Sequence, residues 1–146
     1  MIHWIKRQAR AEDQEFAYVV QRAAYEDVVC RQFGQWDEAW QRQHFIEKWN
    51  PKRYEIVEKE GCPIGVLSVS RTQVEVCIIE IQLLPAYQGQ GIGTELLQQE
   101  LLFADERNLP VRLQVLRANR ARGLYERLGF QIYDETDTHF LMERTN

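Results

Sequence analysis

Apolar positions along this chain switch between the two-residue alternation of strands and the three-to-four-residue spacing of helices, and each switch marks an element. Ile2 to Gln8 predicts a first short strand. Phe16, Val19, Val20, Ala23, Ala24 and Val28 then recur at helical spacing, with Glu12, Asp13 and Glu15 near the start, where the helix dipole favours acids. A second helix is predicted from about Trp36 to Trp49, with Pro51 just beyond it. Tyr54 to Lys59 and Pro63 to Ser70 read as the two strands of a hairpin about Glu60-Gly61. Val74 to Leu84 is the longest β-like run, and its near-continuous apolarity predicts a central strand buried on both faces. Pro85 breaks it, and Gly89, Gly91 and Gly93 follow.

Ile92, Leu96, Leu97, Leu101 and Ala104 form the next helical stripe, closed by Asn108-Leu109-Pro110. Val111 to Leu116 alternates as a strand. Ala121, Leu124, Tyr125 and Leu128 repeat at helical spacing, Gly129 ends that helix, and Gln131 to Tyr133 and Thr138 to Met142 finish as strands. The predicted order is β-α-α-β-β-β-α-β-α-β-β, one mixed α/β domain over residues 1–146 without repeats or linkers.

The bulk numbers narrow the function. A chain of 146 residues with 45% apolar and 27% charged residues builds one ordinary soluble core. A formal net charge of -4 argues against sequence-independent nucleic-acid binding, which needs clustered Lys and Arg, but suits an amine partner. Cys30, Cys62 and Cys77 are widely spaced and odd in number, which predicts reduced thiols and a cytoplasmic protein, with Cys77 a small buried apolar residue. His3, His44 and His139 lack metal-ligand spacing, so no metal is expected. Met1 to Arg10 lacks the apolar core of a signal peptide, and no apolar run approaches a membrane span.

Gln88-Gly89-Gln90-Gly91-Ile92-Gly93, followed by Thr94, lies where a strand ends and a helix starts. The first helical turn leaves N–H groups unpaired and carries partial positive charge, and glycine lets an anion approach closely. That is a main-chain cradle for a diphosphate. The Walker A pattern fails for want of Gly-Lys-Ser/Thr, and the dinucleotide fingerprint fails because the spacing is G-x-G-x-G. The plain alternative is a tight turn with no ligand.

The stretch Pro85 to Gly93 resembles the signature of the GCN5-related N-acetyltransferase (GNAT) superfamily, Q/R-x-x-G-x-G/A, matched by Gln88, Gly91 and Gly93. A second matching block follows in Asn119, Ala121, Leu124-Tyr125 and Gly129-Phe130. The resemblance implies a mostly antiparallel sheet of six or seven strands flanked by about four helices, with a splayed central strand pair. It implies acetyl-CoA as cosubstrate, its diphosphate on the amides of Gln88, Gly89, Gln90, Gly91, Ile92, Gly93 and Thr94, and its pantetheine against the main chain of Leu83 and Leu84. One of those two amides would polarise the thioester carbonyl. Asn119 matches a position contacting the pantetheine arm, unless it is an ordinary helix cap. Tyr125 matches the acid that protonates the departing thiolate, unless it is only core packing.

The implied activity is direct transfer of an acetyl group to an amine, from a small molecule or a peptide, by a monomer or homodimer. A non-catalytic acyl-CoA sensor is the alternative, which would need neither Tyr125 nor a base. Glu80 is the candidate base, because a carboxylate on an otherwise apolar strand is costly unless the site is wet or paired. Alternation places Glu80 and Gln82 on one face with Val76, Ile78 and Leu84. Glu75 and Glu55 are weaker candidates. The acceptor wall implied by the resemblance holds Tyr25, Glu26, Asp27, Trp36, Asp37, Glu38 and Trp40, either binding an ammonium or serving as lid packing and a solvated face. His139 faces the acceptor or is structural.

Overall fold

The computed structural model describes residues 3–145. Seven strands and four helices alternate in the predicted order: β1 (Ile5–Gln8), α1 (Gln14–Phe33), α2 (Glu38–Lys48), β2 (Glu55–Lys59), β3 (Cys62–Arg71), β4 (Val76–Leu83), α3 (Ile92–Glu106), β5 (Val111–Leu116), α4 (Arg122–Arg127), β6 (Gln131–Glu135) and β7 (His139–Arg144). The predicted first strand began at Ile2, which lies outside the described residues. The strands form one sheet in the order β1-β2-β3-β4-β5-β7-β6, antiparallel throughout except for β4 beside β5.

Local chemistry sets the boundaries. Glu60 and Gly61 both have positive φ, 53° and 79°, the geometry that suits the twist of a two-residue hairpin between β2 and β3. Asn108, at φ 54°, turns the chain out of α3. Gly129, at φ 98°, ends α4 with its N–H on the Glu126 carbonyl and the Phe130 N–H on the Tyr125 carbonyl.

The sheet is covered on both faces. Ala17, Tyr18 and Val20 of α1 and Phe45 of α2 pack with Ile56 and Val66 on one side. Leu97, Leu101 and Ala104 of α3 pack with Val76, Ile78, Val111 and Leu113 on the other, where Tyr125 of α4 and Leu128 just past its end join them.

Two irregularities in the middle of the sheet shape everything that follows. The β4–β5 ladder runs only from Val76↔Val111 to Ile78↔Leu113, after which β4 continues to Leu83 and β5 to Leu116 without pairing to each other, each held only by its other neighbour, β3 or β7. In addition, Val69 faces Ile78 while Ser68 faces Glu80, so Ile79 is an extra residue and β4 carries a bulge. The bulge reverses the alternation. Val76, Ile78, Ile81 and Leu83 join the α3 side, whereas Glu80 and Gln82 stand on the α1 side with Leu84. The expectation that Glu80 and Gln82 share a face with Val76 and Ile78 is therefore corrected. So is continuous burial of the run: Val74 lies outside β4 and is exposed, and Ile79 faces a cleft. Cys77 is half-buried rather than buried, and lines the same cleft.

No helix among the described residues is long and apolar enough to cross a membrane, and no cluster of His, Cys, Asp and Glu there has the makings of a metal site.

Candidate active site

The parted ends of β4 and β5 open two clefts that meet in the plane of the sheet. The first, ≈ 420 Å³, lies toward α3 and is bounded by Gln88, Gly89, Gly91, Gly93 and Thr94 and by Leu83. The second, ≈ 510 Å³, lies toward α1 and α2 and includes Glu80, Tyr25, Trp36 and Trp40. Ile81 and Tyr125 line both.

Backbone geometry builds the first cleft. Gly89 and Gly91 sit at φ 75° and 87°, conformations that side chains disfavour, and Gly91 precedes α3 with no side-chain cap. The amides of Gly89, Gln90, Gly91, Ile92, Gly93 and Thr94 have no acceptor among the described residues. Unpaired donors at the positive end of the 15-residue helix α3 fit an anion. The Gln88 side chain ties the loop to the strand, donating from Nε2 to the Leu83 carbonyl at 2.9 Å, while Gln90 Nε2 donates to the Ala86 carbonyl at 3.1 Å.

Of the two strand residues singled out for the cofactor arm, Leu84 has its amide occupied by the Ile64 carbonyl at 2.8 Å. Since main-chain groups alternate sides along an antiparallel ladder, those of Leu83 and Ile81 point away from β3 into the gap. Gly65, opposite Leu83, allows this close approach: a Cβ there would fall 2.4 Å from the Gln82 carbonyl oxygen.

Glu80 is the chemical centre of the second cleft. Its Oε2 accepts from the Tyr25 hydroxyl at 3.1 Å and from Gln82 Nε2 at 2.7 Å, and its Oε1 has no partner among the described residues. Protein surrounds it closely, but it keeps a partly open surface toward the cleft. Burial pushes its carboxyl up to about 7, against the two hydrogen bonds that favour the charged form. The neighbouring phenols move up as well. Tyr25 is raised by burial and then by the Glu80 charge, Tyr54 is pushed up to about 12 by the same causes, and Tyr125 rises for those reasons too.

Tyr125 stands half-buried where the clefts join, its ring edge-on to Phe130 at 5.8 Å, and its hydroxyl has no hydrogen-bond partner among the described residues. It thus packs against the core and also faces the junction. Asn119 lies in the turn before α4, on the α1-side cleft rather than the loop-side one. Its Oδ1 accepts from the Ala121 amide at 2.8 Å, the local turn its residue type favours.

The acids of the acceptor wall face elsewhere. Glu38 binds Tyr18 and Trp36 Nε1, each at 2.9 Å, and Arg22 at 3.0 Å. Asp37 caps α2, while Glu26 and Asp27 pair with Arg22 and Arg31 on the surface. Glu55 and Glu75 are likewise held by Arg71 and Arg112. Tyr25, Trp36, Trp40 and His139 do line the cleft. Sequence reasoning missed Ile79, His44 and the main chain of Ile81. The bulge and the parting of the strands bring the two isoleucines to the site and the packing of α2 brings His44, and none of these has a motif.

The sequence model of the acetyltransferase (GNAT) family matches residues 21–130, and the chain belongs to that family. No curated protein matches the chain. Among solved structures it is similar to the PaiA N-acetyltransferase of Thermoplasma acidophilum in complex with coenzyme A, at 19% identity and a TM-score of 0.78, covering 99% of this chain and 100% of that one. It is also similar to the ribosomal-protein-S18-alanine N-acetyltransferase of Escherichia coli, at 21% identity and a TM-score of 0.68, covering 98% and 94%. An N-acetyltransferase of Staphylococcus aureus Mu50 aligns at 16% identity and a TM-score of 0.69, covering 95% and 99%. These likenesses establish the fold.

Proposed function

We propose that the protein is an acetyl-CoA-dependent N-acetyltransferase that passes the acetyl group directly to an amine while both are bound. The observation that carries this is the meeting of two clefts at Ile81 and Tyr125, one edged by unpaired loop amides and the other holding Glu80. Donor and acceptor can occupy separate clefts and meet at that junction, which supplies proximity.

The free amides from Gly89 to Thr94, with the Gln88 main chain beside them, hold the diphosphate. The glycines leave the cradle open, so the residues fit the group. Bound acetyl-CoA supplies an activated acyl carbon as a thioester. The Leu83 amide, pointing into the gap, donates to the thioester carbonyl as charge develops there. Glu80 accepts the proton of the entering ammonium at Oε1, since a carboxyl near 7 is a competent base at neutral pH. As the carbon–nitrogen bond forms and the carbon–sulfur bond breaks, Tyr125 delivers its hydroxyl proton to the leaving sulfur, and the surplus proton of the acylated nitrogen passes to the phenolate so formed, leaving a neutral amide, a free thiol and Tyr125 restored. Its raised pKa keeps that proton in place until it is needed. Asn119, which lines the acceptor-side cleft rather than the loop-side one, keeps its side-chain amide unpaired among the described residues and so faces the junction from the acceptor side.

Calorimetry with acetyl-CoA and with ATP, alongside thiol release in the presence of amines, tests the proposal. Acetyl-CoA should bind and ATP should not, and Gly91→Asp should weaken acetyl-CoA at least about 100-fold by placing a side chain and a negative charge in the cradle. Undiminished affinity in that variant removes the loop from the site.

A further inference from the structure

The α1-side cleft carries more than a base. Ile79, the extra residue of the bulge, is 52% exposed although it sits in the middle of a central strand. Across the cleft Trp40 is 56% exposed, and the His44 ring stacks on it at 4.7 Å. Trp36 and Val29 continue the same wall. Large apolar side chains left open at a sheet centre, facing an indole across a cleft, mark a surface that a ligand covers.

Charge narrows the ligand further. The lining contains no Lys or Arg, and Glu80 contributes its single carboxylate. The acids of α1 and α2 are all engaged outside it. An anionic group on the acceptor would meet no Lys or Arg, and a second ammonium would find no second carboxylate. Gln21, Gln41, Gln114 and Asn119 also line the cleft, but a peptide whose main-chain amides lay against Ile79, Trp36 and Trp40 would lose hydrogen bonds to water there.

Building on the acetyltransferase reading, we propose that the acceptor is a small monoamine with an aryl or alkyl body, its ammonium beside Glu80 and its apolar part between Ile79 and the Trp40 ring.

Thiol release from acetyl-CoA, measured with 2-phenylethylamine, hexylamine, propylamine, spermidine, lysine and a hexapeptide with a free N-terminus, tests this. The aryl and hexyl amines should exceed spermidine and lysine in kcat/KM by roughly 100-fold, as expected where polar groups go unpaired. Trp40→Ala and Ile79→Ser should each raise KM for 2-phenylethylamine about tenfold, with kcat and propylamine KM nearly unchanged. Trp40→Phe should restore most of the loss, which separates contact with the amine from damage to the fold. Preference for spermidine, lysine or the hexapeptide overturns the assignment, as does an unaltered KM in both variants, while the transferase reading stands. If no amine releases thiol from bound acetyl-CoA, the transferase reading itself falls, and this assignment falls with it.

Discussion

Replacing Glu80 with glutamine separates the cost of burying this carboxylate from its proposed use as a base. The carboxyl is pushed from 4.5 to about 7 because protein replaces water around it. One pKa unit corresponds to about 1.4 kcal/mol, so the ionised side chain costs the fold at most about 3 kcal/mol. The partly open cleft lowers that ceiling. The folded state binds this proton more tightly than the unfolded chain does. The burden is therefore slight below the unfolded value, grows as pH rises, and is complete once pH has passed the folded value near 7. Glutamine is neutral and of the same shape, and its carbonyl oxygen can still accept from Tyr25 and Gln82. Glu80→Gln should therefore gain about 2 kcal/mol on the wild type between about pH 5 and pH 8. That corresponds to a melting-temperature gap widening by roughly 4–8 °C for a domain of this size. Urea or thermal unfolding of both proteins at the two pH values measures it. His44, His139 and Cys77 border the same cleft but are common to both proteins, so they cancel in the difference. The same substitution should abolish the rise in wild-type kcat through pH 7. A stability gap equal at both pH values, or an unchanged rate profile, refutes the reasoning.

Two further outcomes follow from single contacts. Tyr125→Phe keeps the edge-on packing with Phe130 but removes the proton donor, so kcat should fall about 100-fold with acetyl-CoA affinity intact, as stopped-flow and calorimetry would show. Full activity in that variant would confine Tyr125 to packing. Gly65→Ala places a methyl 2.4 Å from the Gln82 carbonyl oxygen and 2.6 Å from Leu83 Cδ2, so strands β3 and β4 must move apart. It should destabilise the protein by about 1–3 kcal/mol in urea unfolding, and a wild-type midpoint would contradict the tight approach.

The element order was legible in the sequence because each element is specified locally. The stripe from Ile92 to Ala104 suits only a helix with one buried face, and Glu60-Gly61 and Gly129 supply the positive φ that their turns demand. The glycine loop was legible for the same reason: its donors depend on the start of one helix and on two unusual φ values, not on distant neighbours. Glu80 was conspicuous as a charge in an apolar run, yet its side of the sheet was misread. Alternation assumes one residue per partner, and a bulge is a mismatch between two strands that neither sequence displays alone. The sequence left the acids near Trp36 open as ammonium ligands or a solvated face, and the fold pairs them with Arg22, Arg31 and Tyr18 outside the cleft. The sequence by itself determined the elements, the glycine turn at the uncapped start of α3 and the residue types available at the site, all of which rest on contacts a few residues apart. Only the tertiary structure decided where β4 leaves β5, which way Glu80 faces and what lines its cleft, because those depend on register between strands far apart in the chain.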